Sequence, residues 1–415
     1  MLDITELNRF YSTEVATATS KPALWAAAPS HLLLALANSK PLVTWRVTRS
    51  CNLSCSSCLY DSQPRRYGAE LSTAEGLALI SDLGGMGVSR LLFAGGEPLL
   101  RADLLELVAS ANDWGIQPTL LTNGTLLSPE RAAGLKRAGL HSVSILLEGV
   151  GREVDRHRCA PGAFHAVLDG NENCRAAGLA VDVRIPLNRW NYPELANILD
   201  FIERREIQKA VFAHLVYTGR GNRPEDDLTH EQKRRALDLI LERTQAFHRR
   251  GAAITLATDE NHADGVYLFL RLARGNPQCA KTAYRWLQGC GAHVQGAGVG
   301  LAGIDSAGNV HPDAYWANHT LGNVRERPFP QIWEMSTDPL LRGLRDRLPL
   351  LQGRCGNCRW KQVCGGNLRV RAEEFFGDPW QADPACYLTN KEIIKGVTEQ
   401  VETLEDDVLL EEQAA

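Results

Sequence analysis

Apolar residues in the first half of the chain follow two periods that alternate along the sequence. Segments with the alternation or apolar runs of β-strands lie at 41–48, 89–94, 117–121, 141–147, 180–185 and 209–217. Segments with helical spacing lie between them, at 71–85, 103–114, from 128 onward, at 163–178 and at 192–205. Strands that alternate with helices predict a parallel sheet with right-handed crossovers. Six such units predict an α/β fold built as a partial (β/α)6 barrel, short of the eight units of a closed one.

Two helix starts in this region carry recognisable end signals. Ser72 and Glu75 have the spacing of a capping box just before an apolar run. Pro129 follows Ser128, in the first-turn position where proline is favoured. These signals fix the starts of two of the predicted helices.

Polar and glycine residues collect where the predicted strands end. They occur at 50–58, 95–98, 122–124, 148–149 and 218–223. In parallel β/α folds the carboxyl ends of the strands form the rim where ligands bind. The sequence therefore predicts a ligand site on that rim.

The remaining segments divide the chain into five parts. Residues 1–40 form a lead-in, 41–225 the partial barrel, and 226–354 a connecting or substrate region that begins with a helix at 230–250. A cysteine-rich segment covers 355–390, and 391–415 is the C-terminal part, with a helix expected at 390–405 and an acidic tail after it.

Charge and hydropathy limit the function classes. The 415 residues include 45 Lys and Arg against 49 Asp and Glu, a net charge of −4, which gives no reason to expect nucleic acid or an anionic membrane as main partner. No apolar run approaches the ~18 residues of a membrane span, and the N-terminus lacks the basic region of a secretion signal. A cytoplasmic location is expected. In such a reducing compartment the 11 cysteines do not predict a disulfide framework, and cysteines that cluster in the sequence are expected to be metal ligands or catalytic groups.

The first group of cysteines follows the first predicted strand and comprises Cys51, Cys55 and Cys58. Structural zinc takes four closed ligands, so three thiols fit it poorly. A [4Fe–4S] cluster held by three thiolates instead has one iron open to a further ligand. The alternative is three unrelated cysteines in a loop, but this loop lies on the predicted ligand rim.

The second group contains four cysteines, Cys355, Cys358, Cys364 and Cys386. Four thiols are enough to close a site. By spacing alone, both zinc and an iron–sulfur cluster suit them.

Cys51-x3-Cys55-x2-Cys58 after the first strand, with Gly95-Gly96-Glu97-Pro98 after the second, resembles the radical S-adenosylmethionine (SAM) superfamily over about residues 41–225. The resemblance implies that the three cysteines hold a [4Fe–4S] cluster whose open iron binds SAM. Cleavage of SAM there gives a 5′-deoxyadenosyl radical that abstracts hydrogen from substrate. The residues implied in SAM binding are Gly95, Gly96, Glu97, Asn123, Ser144 and Arg184. The family usually has an aromatic residue beside the third cysteine, whereas here Ser57 and Leu59 flank it and Tyr60 comes one position later.

The C-terminal cysteines resemble the SPASM-type extension of the same superfamily. The resemblance implies that Cys355, Cys358, Cys364 and Cys386 hold one auxiliary [4Fe–4S] cluster, so that the protein carries two clusters in all. Full SPASM extensions hold a further cluster, but two of its expected ligand positions are Asp313 and Leu368 here. Cys290 is interpreted as its remnant. The other three cysteines, Cys159, Cys174 and Cys279, are expected to be buried small hydrophobic residues.

Longer local matches, at 217–223, 261–267, 308–313, 321–329 and 377–387, resemble radical SAM enzymes of haem d1 biosynthesis and of the alternative haem pathway. The resemblance implies radical removal of propionate side chains from 12,18-didecarboxysirohaem, with an electron donor of the flavodoxin or ferredoxin type. Because such a tetrapyrrole carries several carboxylates, Arg220 and Arg223 are candidates to bind them. His214 and His311 are candidate polar or iron-contacting groups.

Three other functions are weighed against this one. A radical SAM peptide-maturation enzyme is an alternative because SPASM extensions are common there. The ~40 residues before the barrel are fewer than a leader-binding domain of ~80–90 residues needs, so this alternative would require an external leader-binding partner. A haem-pathway decarboxylase acting on a related tetrapyrrole is a close variant of the main prediction. A non-catalytic metal-binding regulator would leave the cysteine loop and Gly95-Gly96-Glu97-Pro98 unexplained.

Overall fold

The computed structural model describes residues 1–8, 40–275, 277–288 and 296–394, apart from the side chains of 276–279, 281 and 282. These residues form two compact units. The barrel unit consists of Lys40–Asp227 and Ala297–Arg345, and the terminal unit comprises the described residues of Met1–Ser39, Leu228–Gly296 and Asp346–Ala415.

The strands are, in chain order, β1 (Leu2–Asp3), β2 (Leu42–Thr48), β3 (Arg90–Gly95), β4 (Gln117–Thr122), β5 (Ser142–Leu146), β6 (Ala180–Leu187), β7 (Lys209–His214), β8 (Thr255–Asp259), β9 (Leu301–Ile304), β10 (Asn309–His311) and β11 (Gly322–Asn323). The helices are α1 (Ile4–Asn8), α2 (Thr73–Met86), α3 (Leu104–Asp113), α4 (Pro129–Arg137), α5 (Arg152–Arg158), α6 (Ala163–Ala176), α7 (Leu195–Arg204), α8 (His230–Arg249), α9 (Ala263–Gly275), α10 (Pro277–Gln288), α11 (Phe329–Glu334), α12 (Pro339–Arg345), α13 (Gly353–Gly356), α14 (Lys361–Cys364), α15 (Arg369–Phe376) and α16 (Asn390–Ile393).

The barrel unit is built on six parallel strands in the order in which they occur in the chain, from β2 to β7. Helices connect them, as the alternating pattern predicts. The sheet is open rather than closed, so the prediction of a partial (β/α)6 barrel is confirmed. On the free side of β2, three further strands extend the sheet: β9 is parallel to β2, and β10 and β11 follow in antiparallel order.

The two faces of this sheet differ in exposure. On β2, Val43 and Trp45 are buried, while Thr44 and Arg46 between and after them are half-buried. The Trp45 ring lies against Gly76 of α2, where an added methyl group would come within 2.7 Å of a ring carbon. Trp45 therefore marks the helix-covered outer face, and Arg46 lies on the opposite, inner face, because side chains alternate along a strand.

The predicted helix starts are confirmed. Ser72 and Glu75 form a complete capping box on α2, and the Ser128 side chain accepts a hydrogen bond at the start of α4 with Pro129 next to it. Of the helix expected at 390–405, Asn390–Ile393 is present, and residues from 395 on lie outside the described part.

The terminal unit combines a two-stranded antiparallel pair, β1 with β8, and helices α1, α8, α9 and α10. The short helices α13 and α14 contain Cys355 and Cys364, and Cys358 and Cys386 lie in the segments between helices. Among the described residues, no helix is both long and apolar enough to cross a membrane.

Candidate active site and auxiliary cysteine site

The Cys51–Cys58 loop begins where β2 ends, as predicted, and is tied to two other segments of the barrel unit. At the start of the loop, the Cys51 amide donates a hydrogen bond to the Gln63 carbonyl at 3.1 Å. The end of the loop forms a two-way bridge with Arg220: the Cys58 amide donates to the Arg220 carbonyl at 2.7 Å, and the Arg220 amide donates back at 2.9 Å. The loop is therefore held by Gln63, in the segment that follows the loop, and by the segment that follows β7.

Backbone amides also point at two of the sulfur atoms. The Leu53 amide donates to Cys51 Sγ and the Ser62 amide to Cys58 Sγ, each at 3.4 Å. Burial raises the pKa of Cys51 to about 11 and that of Cys55 to about 12. Thiols buried together in this way need a cationic partner to become thiolates, and amide donors to sulfur are typical around iron–sulfur clusters. The donor set thus fits the cluster that the sequence predicts.

The side chain of Arg220 is engaged by the cysteine loop. Its guanidinium donates to the Cys55 carbonyl through Nε at 3.1 Å and Nη2 at 3.0 Å, to the Ser62 carbonyl at 3.1 Å, and to Asp61 at 2.8 Å. Gly219 lets the chain pass this close, because a Cβ there would lie 2.2 Å from the Cys58 carbonyl oxygen. Substrate binding by Arg220 stays a prediction, and the contacts describe a clamp on the loop.

Gly95 and Gly96 lie where only glycine fits. A Cβ on Gly95 would lie 2.2 Å from the Thr48 carbonyl oxygen, and one on Gly96 would lie 2.1 Å from that of Ser50. Gly95 also has φ of +140°, which side-chain-bearing residues rarely adopt. These two glycines therefore bring the end of β3 directly against the backbone that leads into the cysteine loop.

Glu97 is completely buried and joins the ends of β3 and β4. Its carboxylate accepts hydrogen bonds from the Leu99 amide at 3.0 Å, the Thr122 hydroxyl at 2.8 Å and the Asn123 amide at 2.9 Å. Burial raises the pKa of Glu97 in spite of these donors. In this structure the carboxylate positions Asn123, and its predicted contact with SAM remains a prediction.

Asn123 links β4 to the cysteine loop. Its side-chain amide donates to the Asn52 side chain at 2.9 Å and lies 3.8 Å from Cys51 Sγ. Its backbone carbonyl accepts from the fully buried Arg158 at 2.6 Å, and Arg158 also pairs with Glu148 at 2.9 Å. Burial alone would raise the pKa of Glu148, but Arg158 beside it holds that pKa below its usual range.

Sequence reasoning did not identify Arg158 or Glu148 as site residues. Glu148 stands at the end of β5, in the same kind of position that singled out Asn123, so its position was a usable signal. Arg158 gave no usable signal in the sequence, because it ends a seven-residue helix in which most positions are charged.

Ser144 and Arg184 lie on the inner face of adjacent strands. The Ser144 hydroxyl donates to Asp182 at 2.6 Å, and Arg184 lies two residues beyond Asp182 on β6. All three are half-buried. They are therefore accessible from the inner side of the sheet, and the predicted contacts of Ser144 and Arg184 with SAM remain predictions.

The other predicted substrate residues lie in different surroundings. Arg223 is exposed, with 72% of its side-chain area accessible, and lies 3.8 Å from Glu225. His214 is buried at the end of β7. His311 is also buried: its Nδ1 lies 2.7 Å from the His319 carbonyl oxygen and its Nε2 lies 3.5 Å from Asp305. Their roles toward a substrate stay predictions.

In the terminal unit, one cavity is lined by all four cysteines of the second group, Cys355, Cys358, Cys364 and Cys386. Burial raises the pKa of Cys358 to about 11 and that of Cys386 to about 12, and it raises the pKa of Cys355 and Cys364 as well. Four converging buried thiols suit an iron–sulfur cluster or another thiophilic group. Among the described residues, no group of three or more Cys, His, Asp or Glu side chains is arranged to hold a metal ion.

A buried ion pair supports this cavity. Arg371 and Asp383 are both fully buried and join through a hydrogen bond from Arg371 Nε at 2.9 Å and another from Nη2 at 2.9 Å. Asp383 also accepts from the Leu368 amide at 3.1 Å, and its carbonyl accepts from the Cys386 amide at 3.1 Å. The pair therefore connects the segment after Cys364 to the turn that carries Cys386.

The remaining four cysteines differ in burial and in whether the structure describes them. Cys174 is buried, as predicted. The prediction for Cys159 is wrong: it is exposed, because it ends α5 in the left-handed conformation, with φ of 52°. The side chain of Cys279 and all of Cys290 lie outside the described part of the chain.

Comparison with known proteins identifies the family. Residues 45–202 match the Radical SAM superfamily. The chain is 43% identical to the Fe-coproporphyrin III synthase of Methanosarcina barkeri, over 88% of this chain and 92% of that one. It is 38% identical to the pre-heme d1 synthase of Dinoroseobacter shibae, over 88% and 90%. Among solved structures, Streptococcus suis SuiB bound to precursor peptide SuiA aligns with a TM-score of 0.66 and 16% identity, over 92% of this chain and 87% of that one, which shows the fold. This chain belongs to the radical SAM superfamily, whose members use SAM and a [4Fe–4S] cluster.

Proposed function

We propose that this protein is a radical SAM enzyme of haem d1 biosynthesis that removes propionate side chains from 12,18-didecarboxysirohaem. The observation that carries the proposal is similarity, over about nine tenths of the chain, to two enzymes whose names refer to iron or haem tetrapyrroles. The similarity to these two enzymes extends well beyond residues 45–202, over 369 and 368 residues.

Cys51, Cys55 and Cys58 would hold the SAM-binding cluster, and Gly95, Gly96, Glu97, Asn123, Ser144 and Arg184 would hold SAM. When bound, the cluster and SAM supply one-electron chemistry that abstracts a hydrogen atom from the substrate. The residues of the chain provide the frame. Gly95 and Gly96 permit backbone contact with the cysteine loop, Glu97 fixes Asn123, and Arg220 holds the loop closed from the β7 side.

Cys355, Cys358, Cys364 and Cys386 would hold an auxiliary [4Fe–4S] cluster. The shared cavity and the buried pair of Arg371 and Asp383 support this assignment over scattered structural cysteines. Such a cluster can accept or pass an electron during turnover. An external donor of the flavodoxin or ferredoxin type would reduce the enzyme, and the reaction would take place in the cytoplasm.

A second candidate is a reaction that yields iron coproporphyrin III. It is favoured by the 43% identity to an Fe-coproporphyrin III synthase, higher than the 38% identity to the pre-heme d1 synthase. Both candidates act on a carboxylated iron tetrapyrrole, and they differ in which side chains are lost.

The test is anaerobic turnover of the cluster-replete enzyme with dithionite, SAM and 12,18-didecarboxysirohaem, with products analysed by mass and visible absorption. Loss of propionates supports the proposal. A product that coelutes with authentic iron coproporphyrin III establishes the second candidate. Binding of a ribosomal precursor peptide with no binding of the tetrapyrrole would contradict both and favour peptide maturation.

Two cysteine variants test the cluster assignments. Cys55→Ala should abolish formation of 5′-deoxyadenosine. Cys358→Ala should keep uncoupled SAM cleavage but lose the tetrapyrrole product. The exposed Cys159→Ala is the matched control and should behave like the wild type. Equal loss of SAM cleavage in the Cys55 and Cys358 variants would mean that the second group is not a separate site.

A further inference from the structure

Arg46 is a cation on the inner face of the partial barrel. It lies on β2, pairs in register with Ala94 of β3, and is half-buried. Its neighbour Trp45 packs against α2 on the outer face, so the Arg46 side chain extends to the side where Ser144, Asp182 and Arg184 also lie. This is the face of the sheet that is open to a ligand.

The guanidinium carbon of Arg46 lies over the Tyr60 ring, 5.2 Å from the ring centroid, which is a cation–π contact. Tyr60 belongs to the segment that follows Cys58. This contact restrains the guanidinium but uses none of its five N–H donors. Within the part of the chain that the structure describes, no acidic side chain forms an ion pair with Arg46.

Acidic groups elsewhere on this side of the sheet are either distant or engaged. Asp182 lies on β6, four strands from β2 in the order of the sheet, and accepts a hydrogen bond from the Ser144 hydroxyl at 2.6 Å. Asp305, which follows β9 next to β2, accepts from the Ala307 amide and the Asn309 amide, both at 2.9 Å. Arg46 is therefore an inner-face cation that has no acidic ion-pair partner among the described residues and can receive a carboxylate from a ligand.

We propose that Arg46 binds a carboxylate of the substrate by bidentate hydrogen bonding and so orients the ring system on the inner face. This inference rests on the proposed function, since it takes the substrate to be a polycarboxylate tetrapyrrole. It also assigns the anion-binding role to a residue other than Arg220, whose guanidinium holds the cysteine loop, and Arg223, which is exposed beside Glu225. A planar guanidinium pinned by an aromatic ring matches a carboxylate in a way that a flexible lysine does not.

The test compares two ligands on the same proteins. Binding of iron coproporphyrin III, a tetracarboxylate, and of its uncharged tetramethyl ester is followed by visible absorption in the same detergent solution. Arg46→Ala should weaken binding of the acid roughly 30-fold, about 2 kcal/mol at ~1.4 kcal/mol per tenfold. Binding of the ester should change by less than about twofold, because it offers no charge to lose. Arg46→Lys should fall between the two for the acid.

Controls separate this outcome from misfolding and from failure of the proposed function. Arg90→Ala, at the exposed opposite end of β3, should bind both ligands like the wild type. SAM cleavage without tetrapyrrole should persist in the Arg46 variants. Equal weakening of acid and ester, or no weakening of either, would overturn the role of Arg46. If the wild type binds neither ligand and also fails to bind 12,18-didecarboxysirohaem, the proposed function fails, and this inference fails with it.

Discussion

The contacts of Arg220 lead to a prediction that separates two roles for one residue. The change is Arg220→Gln, which removes the donors to the Cys55 and Ser62 carbonyls and the ion pair with Asp61. If Arg220 is a clamp, its loss should destabilise the closed form of the cysteine loop. If Arg220 binds substrate instead, its loss should leave the loop intact and weaken only substrate binding.

The size of the effect follows from the hydrogen bonds. Bonds that involve a charged group contribute about 1.5–3 kcal/mol each. The Arg220 side chain is 29% exposed and its partner Asp61 48%, so the ion pair adds little, and we take about 3 kcal/mol for the whole set. At about 1.4 kcal/mol per tenfold, the open form of the loop becomes roughly 100-fold more populated.

The assay is loss of iron from reconstituted enzyme in the presence of a chelator, under anaerobic conditions. When release proceeds through local opening, its rate follows the population of the open form, so Arg220→Gln should lose the iron of the first site roughly 100-fold faster. Arg223→Gln is the matched control, because Arg223 belongs to the same segment but is exposed. Iron retained at the wild-type rate, together with weaker tetrapyrrole binding, would refute the clamp.

Three further predictions concern other parts of the fold. Gly96→Ala places a Cβ 2.1 Å from a backbone oxygen, so it should abolish SAM binding in calorimetry while circular dichroism stays native; binding of wild-type strength would refute the close approach. Arg371→Met leaves Asp383 buried without its ion-pair partner, so it should lower the free energy of unfolding in urea by about 3–5 kcal/mol. About half of the bound iron should also be lost, and an unchanged iron content would show that the pair does not support the second site. Arg325 is the main reason that the pKa of Glu75 is lowered to about 2. Ionised Glu75 therefore contributes stability above about pH 4.5, and this contribution is lost as the pH falls toward 2. Glu75→Gln should reduce the difference between the unfolding temperatures at pH 6 and pH 3, and an undiminished difference would contradict this.

The sequence predicted the parallel part of the fold well because its strands and helices each bury one set of residues, which gives each element a visible hydrophobic period. Each strand from β2 to β7 has a buried outer set, and each helix between them has an apolar stripe, so both periods are visible in the chain. Local end signals, such as Ser72 with Glu75, added the helix starts.

The segment from 297 to 345 could not be read in the same way. Its strands β9, β10 and β11 contain four, three and two residues, too few to show a period. They form because β9 can pair with the edge of β2, and β2 lies more than 250 residues earlier in the chain. Such pairing depends on tertiary structure and leaves little local pattern.

The residues of the candidate site also differ in how far the sequence could indicate them. Gly95 and Gly96 were identifiable because glycine reports close backbone approach. Arg158 was not, because a charged residue becomes buried only where distant partners meet it, here Glu148 and the Asn123 carbonyl. Arg220 was predicted to bind substrate, and that role is untested. Its contacts are with Cys55 and Ser62, about 160 residues away in sequence, and no local motif indicates a contact between residues so far apart.

The most direct test of the central claim is transfer of a hydrogen atom from a tetrapyrrole to the cofactor product. The substrate is 12,18-didecarboxysirohaem deuterated on its propionate side chains, incubated with reduced enzyme and SAM, and 5′-deoxyadenosine is analysed by mass spectrometry. The account predicts deuterium in the 5′-deoxyadenosine formed by the wild type and by Cys159→Ala, and no 5′-deoxyadenosine from Cys55→Ala. Unlabelled 5′-deoxyadenosine, formed at the same rate with or without the tetrapyrrole, would contradict it.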